Sequence, residues 1–178
     1  MNKNALNLGI TMGVIGILIF LLMVILEPGM ILLSVLGFVG FIIAVVLPII
    51  FIRKERSTNG DVISFGDAFK LSFLGLLIGG AIGMVFQILY TQLIDPEFGE
   101  RMTAQTLEMT NNFMEGNMDD EMREQLLREA EADSLERYTV IGMLQSFGIA
   151  AIFYAVVSLI LAAVLKRNPE GGAETLDG

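Results

Sequence analysis

Four long stretches of this chain carry no charged residue: Leu6 to Leu26, Met30 to Ile52, Leu71 to Ile94 and Val140 to Leu165. A helix rising about 1.5 Å per residue needs roughly 20 residues to cross about 30 Å of hydrocarbon. Every one of the four exceeds that length. Four buried helices of a soluble protein would need a polar shell, and the remaining segments are too small to supply it. The pattern therefore predicts an all-α integral membrane four-helix bundle, with spans at about 6–26, 30–52, 69–94 and 138–165 in a single membrane domain, 1–178. An extramembrane α-helical hairpin, 95–137, is expected between the third and fourth spans.

Composition sharpens this reading. Hydrophobic residues make up 54% and charged residues only 17% of the chain, against about a quarter charged in soluble proteins. Lys3 precedes the first apolar stretch, as in a secretion signal. That stretch is too long for a signal core, and no small-residue cleavage pattern follows before Glu27 and Pro28, so an uncleaved first helix is expected. The chain has no Cys and no His, which removes disulfides, thiolate chemistry and imidazole from its repertoire.

Charge sorts by segment. Lys3, Arg53, Lys54, Arg56, Lys70, Lys166 and Arg167, seven of the eleven basic residues, fall on one side of the four spans. The positive-inside rule assigns that side to the cytoplasm, which puts both termini there. The opposite side has a tight turn at Glu27, Pro28 and Gly29, together with the 43-residue segment 95–137. That segment holds thirteen carboxylates against four arginines, a net charge of −9 that equals the net charge of the whole chain. The last residues, 168–178, contain Pro, Gly and acids without apolar periodicity and read as a disordered cytoplasmic tail.

The acidic segment has its own pattern. Asp95, Pro96 and Glu97 offer an N-cap, a first-turn proline and a helix-start acid in succession. Phe98, Met102, Met109 and Phe113 then share one helical face, a candidate partner surface. Gly116 and Asn117 break the pattern, Asn117 caps a second helix, and Met118, Met122 and Leu126 continue an apolar stripe. Asp133 with Glu136 three residues on reads as a further cap, starting the helix that becomes the fourth span. Methionine thioethers suit Cu(I), but Met102, Met109, Met114, Met118 and Met122 sit largely on the apolar faces. There Met fills irregular interfaces or adapts to a partner, and no metal or other cofactor is expected.

Within the spans, small and polar residues are the informative ones. Ser64 with Asp67 three residues later forms a capping box that opens the third span; a binding role for Asp67 is the alternative. Gly75, Gly79 and Gly83 are spaced four apart and form a smooth face. Lipid solvates Leu as well as another helix does, so helices associate in a bilayer through close backbone approach. Gly9 and Gly13 of the first span are the expected partners, with a homo-oligomer seam as the alternative. Gln87 and Gln145 are the deepest amides, placed to hydrogen-bond between the third and fourth spans or to contact a solute. An ion-coupled transporter usually keeps an ionisable residue at membrane depth, and this chain keeps none there. Pro48 removes a backbone donor from the second span and predicts a kink there.

The stretch VISFGDAFKLSFLGLLIGGAIGMVFQILYTQLIDPEF, the acid- and Met-bearing insert after it and a last span ending in Lys and Arg resemble the bacterial domain-of-unknown-function family 4199. ISFGDAF and IDPEF are the most specific pieces. The resemblance implies a four-span inner-membrane protein of Gram-negative bacteria and carries no activity with it.

No nucleophile–base pair, phosphate-cradling Gly loop, metal quartet or basic nucleic-acid surface is legible. The expectation is a non-enzymatic membrane protein, an interaction or envelope-assembly subunit whose hairpin meets a protein partner; a small oligomeric passive transporter or channel is the alternative. Reporter tags on either terminus should be protected inside sealed cells, and a tag within 95–137 should be reached by protease added to spheroplasts.

Overall fold

Uncharged runs of this length fold as helices because backbone polar groups in hydrocarbon must be satisfied within the segment. A computed structural model of the chain describes residues 3–26, 30–115 and 118–167. The expected turn at Glu27, Pro28 and Gly29, the break and cap at Gly116 and Asn117, and the tail 168–178 lie outside these residues. Among them are six α-helices: α1 (Lys3–Leu26), α2 (Met30–Thr58), α3 (Phe65–Leu89), α4 (Phe98–Met114), α5 (Asp120–Arg137) and α6 (Val140–Leu165). Four, namely α1, α2, α3 with its extension to Ile94, and α6, are long and apolar enough to cross a membrane. The fold is all-helical, with α4 and α5 forming the hairpin between the third and fourth spans.

The most extensive interface joins α1 to α3, which run parallel. A Cβ placed on Gly75 would lie 2.4 Å from Leu8 Cδ2, and one on Gly79 would lie 2.5 Å from Met12 Cβ and 3.1 Å from the Gly9 carbonyl oxygen. In return, a Cβ on Gly9 would meet Ile78 at 2.6 Å and one on Gly13 would meet Ile82 at 2.7 Å. Two side chains from each helix thus fill glycine notches in the other. Gly83 does not belong to this seam: a Cβ there meets nothing within 4 Å. It lies on the face of α3 turned away from the seam and lines an open cleft.

Burial is concentrated at the end of the bundle away from the hairpin. Ala5 and Leu8 of α1, Ala44 and Ile52 of α2, Ala68 and Leu71 of α3, and Leu161 and Ala162 of α6 form one core. Pro48 is fully buried among them, inside α2. The helix runs on past the expected span to Thr58, carrying Arg53, Lys54 and Arg56 on its last turns. It ends in a Schellman turn, with Gly60 at φ 68° and the Asp61 amide donating to the Arg56 carbonyl at 2.9 Å.

Two features tie this end together. Asp61 pairs with both Arg56 and Arg167, and Ile63 and Arg167 exchange backbone hydrogen bonds of 3.0 and 2.9 Å. The α2–α3 turn is thereby clamped to the end of α6. Ser64 stands at the N-cap of α3, its hydroxyl accepting from the Asp67 amide at 3.1 Å and donating to the Asp67 carboxylate at 2.6 Å.

The hairpin departs from expectation at both joints. Asp95 is not the N-cap of α4; Glu97 holds that position, with no side-chain cap bond. The physical reason is a π-helical turn over Tyr90–Ile94, closed by the Asp95 amide donating to the Tyr90 carbonyl at 2.9 Å. This turn keeps Asp95 in the exit of α3, and its carboxylate instead takes two bonds from Arg101, at 3.0 and 2.5 Å. At the other joint α5 runs through Asp133 and Glu136 without a break. Thr139 caps α6 instead, accepting from the Gly142 amide at 3.0 Å. A buried Thr103–Ser134 hydrogen bond of 3.0 Å crosses the hairpin.

Gly79→Ile should lower the unfolding free energy in detergent by about 1–3 kcal/mol through overpacking, whereas Gly83→Ala should leave it unchanged; steric-trap or thermal unfolding measures both. The hydrogen bond and charge of Arg101 hold the Asp95 carboxyl below its ordinary value. A lowered folded pKa means that this pair stabilises the hairpin joint above the unfolded carboxylate value of about 3.9 and that the contribution is lost as pH falls through the lower folded value. Protease resistance at the joint should therefore fall on acidification in the wild type, and Asp95→Asn should remove that dependence. The effect should be small, since the pair lies at the surface.

Candidate functional site

The outer surface of α2 explains where a site can form. Its buried residues, Ala44, Pro48 and Ile52, all lie in the half away from the hairpin. From Leu32 to Ile43 no residue is buried. In that half α1 and α6 flank α3, and α2 does not close the space between them. The result is an open cleft of about 450 Å³ on the hairpin half of the bundle.

Three helical stripes line it. α1 contributes Met12, Gly16 and Phe20, four residues apart, and α3 contributes Gly80, Gly83 and Gln87. From α6 come Met143, Ser146, Phe147, Ala150 and Tyr154, a spacing of three and four that keeps one face inward. Gly80 lets α6 approach: a Cβ there would sit 2.9 Å from the Tyr154 ring and 3.1 Å from that of Phe147. The deep end, at Gly79 and Tyr154, lies near the middle of α3 and α6. The mouth, at Phe20, Gln87, Arg137 and Tyr138, lies at the hairpin end.

An aromatic cluster roofs that mouth. Phe20 packs on Phe98 at 5.4 Å and on Tyr90 at 5.3 Å, and Phe98 packs edge-on against Tyr138 at 5.7 Å. Rings from α1, the π-turn, α4 and the α5–α6 junction thus meet at one point.

The residues singled out from sequence separate here. Gln87 lines the cleft, whereas Gln145 is exposed on the far side of α6. No hydrogen bond joins the two among the described residues. Ser146, one residue on and about 100° around the helix, is the α6 residue that shares the cleft with Gln87. The candidate partner surface splits as well. Phe98 and Met102 are only 2% and 5% exposed, sealed into the aromatic cluster and the hairpin base. Met109 is half-buried and Phe113 is 75% exposed. A face that begins where α3 hands over to α4 necessarily folds its first residues onto the bundle.

A second cleft, of about 490 Å³, lies at the opposite end and is lined by Asp67 together with Glu55, Asn59 and Lys70. There Glu55 accepts a hydrogen bond from the Asn4 amide, so a neighbouring carboxylate is already tied to α1.

Arg137, Ser146 and Tyr154 were not singled out by sequence reasoning. The three-and-four spacing on α6 is the signal that would have found the last two. Arg137 had none, because its position at the mouth depends on where α5 ends.

No curated protein and no solved structure matches this chain. A family model described as a protein of unknown function, DUF4199, matches residues 7–167. The match runs from the start of α1 to the clamp residue Arg167 and takes in the cleft, the hairpin and all four apolar helices, so the chain belongs to the DUF4199 family.

Proposed function

We propose that this is a non-enzymatic inner-membrane protein of bacteria, with both termini cytoplasmic, that presents its acidic hairpin outside the cytoplasm to a protein partner. The Lys and Arg distribution supports the orientation. The observation that carries the partner reading is the contrast along the hairpin. Its base is packed into the bundle, while Phe113, Met118 and Met122 near its far end are 75%, 43% and 55% exposed. Large apolar side chains set in a strongly acidic segment fit a partner surface that combines an apolar recess with a basic rim. Adaptable Met side chains suit such a contact.

A passive carrier is the second reading, favoured by the cleft with Gln87 and Ser146 in its wall. In that case a solute would enter from the hairpin side and a rearrangement of the core would be needed to release it. The two readings make different demands on the hairpin tip.

A photo-crosslinking residue at Phe113 or Met122 in intact cells should trap one reproducible protein, identified by mass spectrometry, and the same residue at buried Phe98 should not. Solute flux in reconstituted vesicles that survives loss of the exposed tip side chains, with no crosslinked partner, would overturn the interaction reading in favour of the carrier.

A further inference from the structure

The arginines of the hairpin segment are not equivalent. Arg101 pairs with Asp95, Arg123 with Asp120 at 3.0 Å, and Arg128 with Glu124 at 3.0 Å. Arg137 pairs with no carboxylate among the described residues, although it sits in a segment with thirteen of them. It stands instead at the mouth of the cleft, beside Tyr138. A cation left unpaired in acidic surroundings and set at the rim of a cavity is placed to meet an anion from elsewhere.

The cavity below narrows the choice of anion. From Gln87 at the mouth to Gly79 at the deep end the cleft follows α3 for eight residues, about 12 Å. It ends near mid-depth, beneath which the core of Leu8, Leu76 and Val157 is closed. α1, α3 and α6 wall it and no residue of α2 lines it, which leaves the side between α1 and α6 as the open one; the hairpin half of α2 reaches α6 through Phe41 on Phe153. A lateral opening on an apolar helix surface is filled from the bilayer. Its walls carry a guanidinium at the rim with the Gln87 amide and Ser146 hydroxyl next, then Met84, Phe147 and Ala150, and the Tyr154 ring and hydroxyl against Gly80 close the deep end.

We propose that this cleft is a binding site for an anionic lipid of the hairpin-side leaflet. Its phosphate pairs with Arg137, its ester oxygens accept from the Gln87 amide and the Ser146 hydroxyl, and one acyl chain lies along the groove between α1 and α6 over Gly83, where a Cβ would meet nothing within 4 Å. Methionines at Met12, Met84 and Met143 adapt the groove to a mobile chain.

The test uses the full chain purified in non-ionic detergent and phosphatidylglycerol as the probe. Native mass spectrometry should show retained phosphatidylglycerol in preference to phosphatidylcholine with the same chains, and inorganic phosphate should not displace it. Arg137→Gln should weaken retention by about fivefold, corresponding to ~1 kcal/mol for one basic residue at a lipid phosphate, and Arg137→Lys should restore most of it. Gly83→Leu, which fills the groove at a position with open space, should lower retention without lowering the unfolding temperature of the lipid-free protein. A photoreactive acyl chain on the same lipid should label Met84, Phe147 or Ala150. Equal retention of the two lipids, displacement by inorganic phosphate, or labelling confined to the outward residues Leu18 and Ile152 would each overturn the proposal.

Discussion

Close contact between the backbones of α1 and α3 is the constraint from which the rest of the bundle follows. In a bilayer, apolar side chains gain nothing by leaving lipid for one another, so a helix pair holds together only where packing is tighter than lipid can provide. Gly9, Gly13, Gly75 and Gly79 provide it by admitting Ile78, Ile82, Leu8 and Met12 into the space their missing side chains leave. With that pair set, α6 lies against the other side of α3 at Gly80, and α2 closes the end of the bundle at Ala44, Pro48 and Ile52. The glycine seam also stops short of Gly83, which lines the cleft instead.

The two ends of the molecule are fastened by different chemistry. At the end bearing the α2–α3 turn, Asp61 between Arg56 and Arg167, together with the paired backbone of Ile63 and Arg167, joins three helices through polar contacts. At the hairpin end the fastening is aromatic, through Phe20, Tyr90, Phe98 and Tyr138. Edge-to-face rings need no partner in water and tolerate small shifts. At the hairpin end this aromatic roof stays packed above the cleft between α1, α3 and α6.

The hairpin serves two surfaces at once. Its base belongs to the bundle, since Phe98 and Met102 are sealed there and Thr103 bonds Ser134 across the pair. Its far end carries the exposed Phe113 and Met122. The π-turn over Tyr90–Ile94 sets this division, because inserting one residue into the helical ladder re-aims α4 as it leaves α3.

Four spans, their all-helical character and the capping of α3 by Ser64 were legible in the sequence alone, because each rests on local physics: run length without charge, and the reach of one hydroxyl to a nearby amide. Which way each helix faces was not. Helices that are apolar all round carry no polar face to orient them, so Gly83 looked like Gly79, and Gln145 looked like the partner of Gln87, until the crossing of α1, α3 and α6 separated them. The caps misplaced at Asp95 and Asp133 failed for a related reason. Both have the right local chemistry, but the π-turn in one case and the unbroken packing of α5 in the other decided where the helices begin, and only tertiary contacts make those choices.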